Sequence, residues 1–157
     1  ESPPFVETIQ LTSAEDMYNA VTERFSESDV AIMAAAVADY TPENFSENKI
    51  KKHSGDMCIP LKRTKDILSE ICKGKRDNQF VCGFSMETEN LIENSRRKLE
   101  TKNCNMIAAN SLKCSGAGFG TDTNVITLIT KDNIEELPIM SKEIAADRNL
   151  ETILKQI

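Results

Sequence analysis

The chain has 157 residues, of which 39% are hydrophobic and 28% charged, and its net charge is −6. That length suits a single globular unit with a real core, and no apolar run approaches the roughly 18–20 residues that cross a bilayer. The acidic balance argues against a general nucleic-acid binder, whose affinity rests on releasing counterions from many phosphates.

In chain order, Glu7 to Leu11 alternates and predicts a short strand, and Thr12 or Ser13 then stands before Ala-Glu-Asp-Met as a helix cap. The helix is expected to run to about Phe25, with Met17, Ala20, Val21 and Phe25 on its packed face and Glu15 and Asp16 in its first turn. The run from Asp29 to Ala38 is apolar without alternation, as for a strand buried on both faces of a parallel sheet. Its small alanines would admit a close ligand or a close backbone.

From Asp39 to Lys52 a polar loop is expected, marked by Pro42, Asn44, Ser46 and Asn48 and ending in Lys49-Ile50-Lys51-Lys52. A hairpin should follow, its arms Lys49 to Lys52 and Met57 to Arg63 separated by His53-Ser54-Gly55-Asp56. A helix over about Lys65 to Cys72, a buried strand Gln79 to Phe84 and a helix to about Lys102 come next. Asn105 to Asn110 reads as a third buried strand, Gly116 to Gly120 as a flexible loop, Asn124 to Thr130 as a β-branched strand and Ser141 to Ile157 as helix. This order predicts an α/β, doubly wound, mainly parallel sheet with a β-hairpin insertion and ligands outside the carboxyl ends of the strands.

Five cysteines, Cys58, Cys72, Cys82, Cys104 and Cys114, form an odd set without a C-x-x-C pair, which suits free thiols in a reducing, cytoplasmic compartment. Cys82 and Cys104 lie in or beside apolar strands and read as core. The single histidine, His53, has only Cys58 nearby, so it reads as a loop residue and zinc is disfavoured. The opening Glu-Ser-Pro-Pro-Phe lacks the basic region and apolar stretch of a signal peptide.

Two cationic sets stand out: Lys49 to Lys52, and Lys98 with Lys102. At about 100° per residue the latter two are about 40° apart on a helix, and Lys102 projects between Leu91 and Ser95, beside the apolar stripe. Both sets suit phosphate; the plain alternatives are snorkelling over a core edge and an exposed, solubilising hairpin. Asp39 and Asn110 each follow an apolar strand, where they either meet a ligand or shape a turn. Gly116-Ala-Gly-Phe-Gly matches neither common phosphate-loop fingerprint.

Taken together, Ala34-Ala-Ala-Val-Ala-Asp-Tyr-Thr-Pro, Lys49-Ile-Lys-Lys, Val81-Cys-Gly-Phe-Ser-Met-Glu-Thr, Ala108-Ala-Asn and Gly118-Phe-Gly-Thr-Asp-Thr-Asn resemble the phosphopantothenoylcysteine synthetase family, in the C-terminal part of the synthetase domain. The resemblance runs from Pro3 to Ile157 and implies a Rossmann-like fold. It also implies a ligase of coenzyme A synthesis that activates the carboxylate of 4'-phosphopantothenate with a nucleoside triphosphate and joins it to cysteine through an acyl-nucleotide. By the resemblance, Met33, Ala34, Ala35 and Asp39 contact the nucleotide, Lys65, Asp66, Ile67 and Leu68 lie beside the base with Phe84, and Lys98 and Lys102 grip the triphosphate. Lys49 matches the catalytic lysine of a lid, Lys49, Ile50, Lys51 and Lys52. Where the family often has proline, this chain has Lys65.

Magnesium is expected with the nucleotide, its protein ligands unnamed, and CTP is expected over ATP because A-A-V-A-D-Y with Lys49 ten residues after its Asp has a bacterial form. The resemblance further implies a homodimer, a fused or separate flavin-dependent decarboxylase with no flavin in this segment, and an amino-terminal strand-glycine-loop-helix unit ahead of Glu1. On that basis the chain is expected to be a C-terminal piece. The alternatives kept open are a nucleotide-binding or regulatory domain without turnover, and a nicotinamide-dependent reductase, which the missing G-x-G-x-x-G fingerprint disfavours.

Overall fold

The computed structural model describes residues 4–51, 55–111 and 121–157. Helix α1 spans Ala14–Phe25, and its start is a capping box: the Asp16 amide donates to Ser13 Oγ at 3.1 Å while the Ser13 amide donates to Asp16 at 3.0 Å. The hydrogen bond from the Ser13 side chain, and then that from its backbone, hold the Asp16 carboxyl below its ordinary value. Strand β1, Val30–Met33, follows.

Strands β2, Tyr40–Pro42, and β3, Leu61–Arg63, form a two-stranded antiparallel ribbon. Then come α2, Ile67–Gly74; β4, Phe80–Glu87; α3, Leu91–Lys102; and β5, Met106–Ser111. The chain closes with β6, Thr123–Asn124; β7, Ile126–Thr130; β8, Ile134–Glu136; β9, Met140–Ser141; and α4, Lys142–Leu154.

The main sheet has the order β1-β4-β5-β7-β8. β1, β4 and β5 run parallel, with Val30 opposite Phe80 and Cys82 opposite Met106, whereas β7 and β8 extend the sheet antiparallel. Because successive strand residues point to opposite faces, β4, β5 and β7 each feed two cores. Val81, Ile107 and Ile129 pack with Phe25, Ile71, Leu99 and Cys104 under α1, α2 and α3. Phe80, Cys82, Met106 and Leu128 pack with Ala145 and Ile153 of α4 on the other face. With helices on both faces, the architecture is α/β and Rossmann-like, with a mixed sheet whose parallel half holds the crossovers.

Buried polar groups fasten these layers. Gln79, 3% exposed, donates to the carbonyls of Phe25 and Ser28 at 2.6 and 2.8 Å and accepts from the Arg76 amide, which ties the end of α1 to the entry of β4. Asn105 accepts from the Val81 amide and from Lys75 Nζ.

Three expectations are corrected. The segment 7–11 forms no strand and leaves Ile9 and Leu11 exposed, since it meets no ladder partner. The strand expected to Ala38 ends at Met33 and is half-exposed, because β1 is an edge of the described sheet and Ala34, Ala35 and Ala36 leave it. The hairpin arm is Tyr40–Pro42, not Lys49 to Lys52: Tyr40 pairs with Arg63 and Pro42 with Leu61, so Lys49, Ile50 and Lys51 sit in the connecting loop. Lys52, His53, Cys114 and the run Gly116 to Gly120 lie outside the described residues.

Candidate functional site

The parallel half of the sheet ends in a cleft. A cavity of about 180 Å³ opens between the carboxyl ends of β1 and β4 and the helices α2 and α3. Met33, Ala35, Val37 and Asp39 line it from the segment leaving β1. Thr64, Lys65, Asp66, Ile67 and Leu68 line it from the entry to α2, Phe84 from β4, and Lys98 and Lys102 from α3. A second cavity of about 510 Å³ adjoins it, sharing Ala35, Val37, Asp39, Phe84 and Lys98 and adding Ala34, Ala36, Ser85, Met86, Asn110, Asn124 and Lys142.

Local hydrogen bonds fix this geometry. Thr64 donates its amide to the Asp39 carbonyl at 2.9 Å and its hydroxyl to the Ala38 carbonyl at 2.6 Å, so the ribbon holds the segment after β1 against the start of α2. Asp66 caps α2, accepting from the Ser69 amide at 3.0 Å and the Ser69 hydroxyl at 2.9 Å. Gly83 lets α2 approach: a Cβ there would stand 2.6 Å from Leu68 Cδ2 and 3.1 Å from Ile107 Cδ1.

The packed face of α3, whose last two turns reach the cleft, follows from helical spacing. Leu91, Ser95, Lys98 and Lys102 recur three to four residues apart, and the fully buried Ser95 hydroxyl meets Ser85 Oγ at 2.9 Å. One turn on, Lys98 Nζ donates to the Phe84 carbonyl at 3.4 Å, and a further turn brings Lys102 Nζ within 2.8 Å of Asp66 Oδ2. Burial works to raise the Asp66 carboxyl; the hydrogen bond from Lys102 and those from Ser69 outweigh it and hold the carboxyl below its ordinary value. At the rim, Lys65 Nζ bonds Glu15 at 2.6 Å and lies 4.1 Å from the Tyr18 ring centroid, and Glu15 raises its pKa.

The structure therefore brings together ten of the positions singled out above in one cavity, with Ala34 next door. Lys49, Ile50 and Lys51 are exposed between β2 and β3 and line neither cavity. Thr64, Asn124 and Lys142 were not named as site residues: Thr64 directly precedes the Lys65 to Leu68 segment, Asn124 stands in β6 at the end of the Gly118 motif, and Lys142 opens α4. Asn110 does reach the larger cavity, and its Oδ1 is buried without a hydrogen-bond partner among the described residues. Among the described residues no group of three or more His, Cys, Asp or Glu is placed to hold a metal ion, and no helix is long and apolar enough to cross a membrane.

A Rossmann-like sheet with a small-residue strand end on one side of a cleft and paired lysines on the other defines an α/β domain with a cationic cavity beyond its parallel strands. The chain belongs to the DNA/pantothenate metabolism flavoprotein C-terminal domain family, whose model matches residues 1–157. It is 47% identical over 137 residues to the coenzyme A biosynthesis bifunctional protein CoaBC of Bacillus subtilis (strain 168), covering 87% of this chain and 34% of that protein. It is 49% identical over 144 residues to a cysteine/cysteine sulfinic acid decarboxylase from an unknown prokaryotic organism, covering 90% of this chain and 40% of that protein. The chain thus spans two fifths or less of the length of these curated relatives. Its fold matches the crystal structure of the C-terminal domain of a coenzyme A biosynthesis bifunctional protein CoaBC with a TM-score of 0.78 and 39% identity, covering 98% of this chain and 69% of that one.

Proposed function

We propose that this domain provides the nucleotide site of a phosphopantothenate–cysteine ligase of coenzyme A biosynthesis. The observation that carries the reading is the pair Lys98 and Lys102, whose ammonium groups converge on one cavity beside Phe84 and the Asp66 cap. Membership of the family and the likeness to the CoaBC relative support it.

In this reading the triphosphate lies along α3. Lys98 and Lys102 offset its charge, and Lys102 leaves Asp66 for a phosphate oxygen when the nucleotide enters. The main chain of Met33, Ala34 and Ala35 contacts the nucleotide, Asp39 accepts a hydrogen bond from the sugar or base, and Phe84 with Lys65, Asp66, Ile67 and Leu68 lies beside the base. The carboxylate of 4'-phosphopantothenate attacks the α-phosphate, pyrophosphate leaves, and the amine of cysteine displaces the nucleoside monophosphate from the acyl-nucleotide. Lys49, swung in from its loop with Ile50, Lys51 and Lys52, stabilises phosphate charge in both steps.

CTP is the nucleotide we propose, with ATP the alternative. Magnesium arrives on the phosphates. The working assembly is a cytoplasmic homodimer, associated with a fused or separate flavin-dependent decarboxylase. A second reading, nucleotide binding without turnover, is favoured by one observation: Lys49 lines neither cavity.

Calorimetric titration with CTP and then ATP, each with magnesium, tests the site. Saturable binding that favours CTP and disappears in a Lys98→Ala, Lys102→Ala double variant is expected; binding that survives both substitutions would overturn the assignment. Release of pyrophosphate in the presence of 4'-phosphopantothenate and cysteine, lost in Lys49→Gln, separates the ligase from the non-catalytic reading.

A further inference from the structure

Cys72 and Cys104 come from different elements, the last turn of α2 and the turn between α3 and β5, yet their sulfurs lie 3.2 Å apart. Both side chains are buried, at 1% and 6% exposure, and neither lines the lysine cleft. Cys82, by contrast, has the Gly83 carbonyl and the Asn149 amide as neighbours, and burial pushes its thiol up to about 12. Cys58 is exposed.

The two contacting sulfurs are not equivalent. The hydrogen bond between the two sulfurs lowers the Cys104 thiol, helped by the ammonium groups of Lys102, Lys75 and Lys98, while that same bond and burial push the Cys72 thiol well up. Burial also opposes ionisation at Cys104, and the hydrogen bond with the three cations outweighs it. Position makes Cys104 the nucleophile of the pair: it lines a separate cavity of about 310 Å³ between α3 and the end of β7, with Arg96, Asn103, Thr130 and Lys131, which gives small reagents a route to it, and Cys72 does not line that cavity. That space is several times the roughly 30 Å³ a water molecule occupies, so a hydroperoxide fits.

We propose that Cys72 and Cys104 form an oxidative modification site: a hydroperoxide oxidises Cys104, and Cys72 resolves the product to a reversible intramolecular disulfide. In the first step the Cys104 sulfur attacks one peroxide oxygen, the O–O bond breaks, and the departing hydroxide takes up the thiol proton as water, leaving a sulfenic acid. In the second, the Cys72 sulfur attacks the Cys104 sulfur, its proton goes to the departing hydroxyl, and a second water leaves as the S–S bond forms. Closing to the usual length of about 2.05 Å moves the sulfurs roughly 1 Å nearer each other. The bond pins the last turn of α2 to the residue two places beyond the end of α3, across the same two helices that Lys102 and Asp66 join at the cleft. A thiol reductant restores the open pair.

Peptide mapping of the chain after one equivalent of hydrogen peroxide, with alkylation under denaturing conditions, tests the proposal. The expected result is a Cys72–Cys104 linked peptide pair, loss of two alkylatable thiols and their recovery with dithiothreitol. The oxidised chain should melt about 5–10 °C higher than the reduced one, a shift kept in Cys58→Ser and absent in Cys104→Ser. A link through Cys58 or Cys114, sulfinic acid at Cys104 with Cys72 still free, or four or five unmodified thiols would overturn it. Because mapping on the unsubstituted chain decides, a Cys104→Ser variant that fails to fold leaves the test intact.

Discussion

Lys102 Nζ lies 2.8 Å from Oδ2 of Asp66 and 3.0 Å from Oδ1, so the last residue of α3 is bound to the residue that caps α2. The cap and the cation hold each other where the two helices face the cleft. A phosphate placed between them competes with Asp66 for the same ammonium.

Lys102→Ala is therefore expected to weaken CTP binding by about 10- to 100-fold, the scale of one charge-assisted hydrogen bond. The fold should persist, because Leu99 rather than Lys102 carries the core contact of that turn. Isothermal titration alongside a far-ultraviolet circular dichroism spectrum checks both parts.

Asp66→Ala should cost about 1 kcal/mol at pH 7, mostly through loss of the helix cap, since the carboxylate is half-exposed and its ion pair is screened. The sign of the pH effect follows from the lowered carboxyl. Its stabilisation is complete above the unfolded value of about 3.9 and fades as pH falls through the lower folded value. Urea melts from pH 7 to pH 2.5 should show the native-minus-variant gap closing only below about pH 4.

Gly83→Ala should destabilise by about 1–3 kcal/mol, because its Cβ meets Leu68 Cδ2 at 2.6 Å inside a packed layer. Leu68 gives way toward the cleft it lines, so nucleotide affinity should fall together with the urea midpoint.

Leu128→Ala offers the contrast. Leu128 is 1% exposed on the α4 face of the sheet and lines neither cleft cavity, so a loss of about 2–5 kcal/mol in urea melts should leave the CTP dissociation constant unchanged.

Much of the scaffold was legible because local signals and tertiary position agree. The Ser13 cap, the β4 and β5 runs and the lysine face of α3 all occur where spacing predicts them. The angular offset of Lys102 already placed it beside the packed stripe, and it is partly buried there against Asp66. The failures share a cause. Apolar composition does not report whether a neighbour exists, so Glu7 to Leu11 and Ala34 to Ala38 looked like ladders they do not form. Cys104 read as core and is buried there, but nothing in its own surroundings along the chain announces Cys72 thirty-two residues before it. Asn124 and Lys142 became visible as cleft residues only once β6 and α4 were placed against the parallel strands.

The mixed sheet also sets an order of events. Across the antiparallel half, Ile129 pairs with Ile134, a closure of very few residues, whereas the β1 ladder that shapes the cleft joins Val30 to Phe80. Short closures cost little chain entropy and long ones cost more, so the β7–β8 ribbon should condense early and β1 should dock late. A ligand spanning β1, α2 and α3 would then meet nothing to grip until the rate-limiting barrier is passed. In stopped-flow experiments nucleotide should slow unfolding and leave the refolding rate untouched, so the ligand acts as a latch on a finished molecule and not as a template for making one.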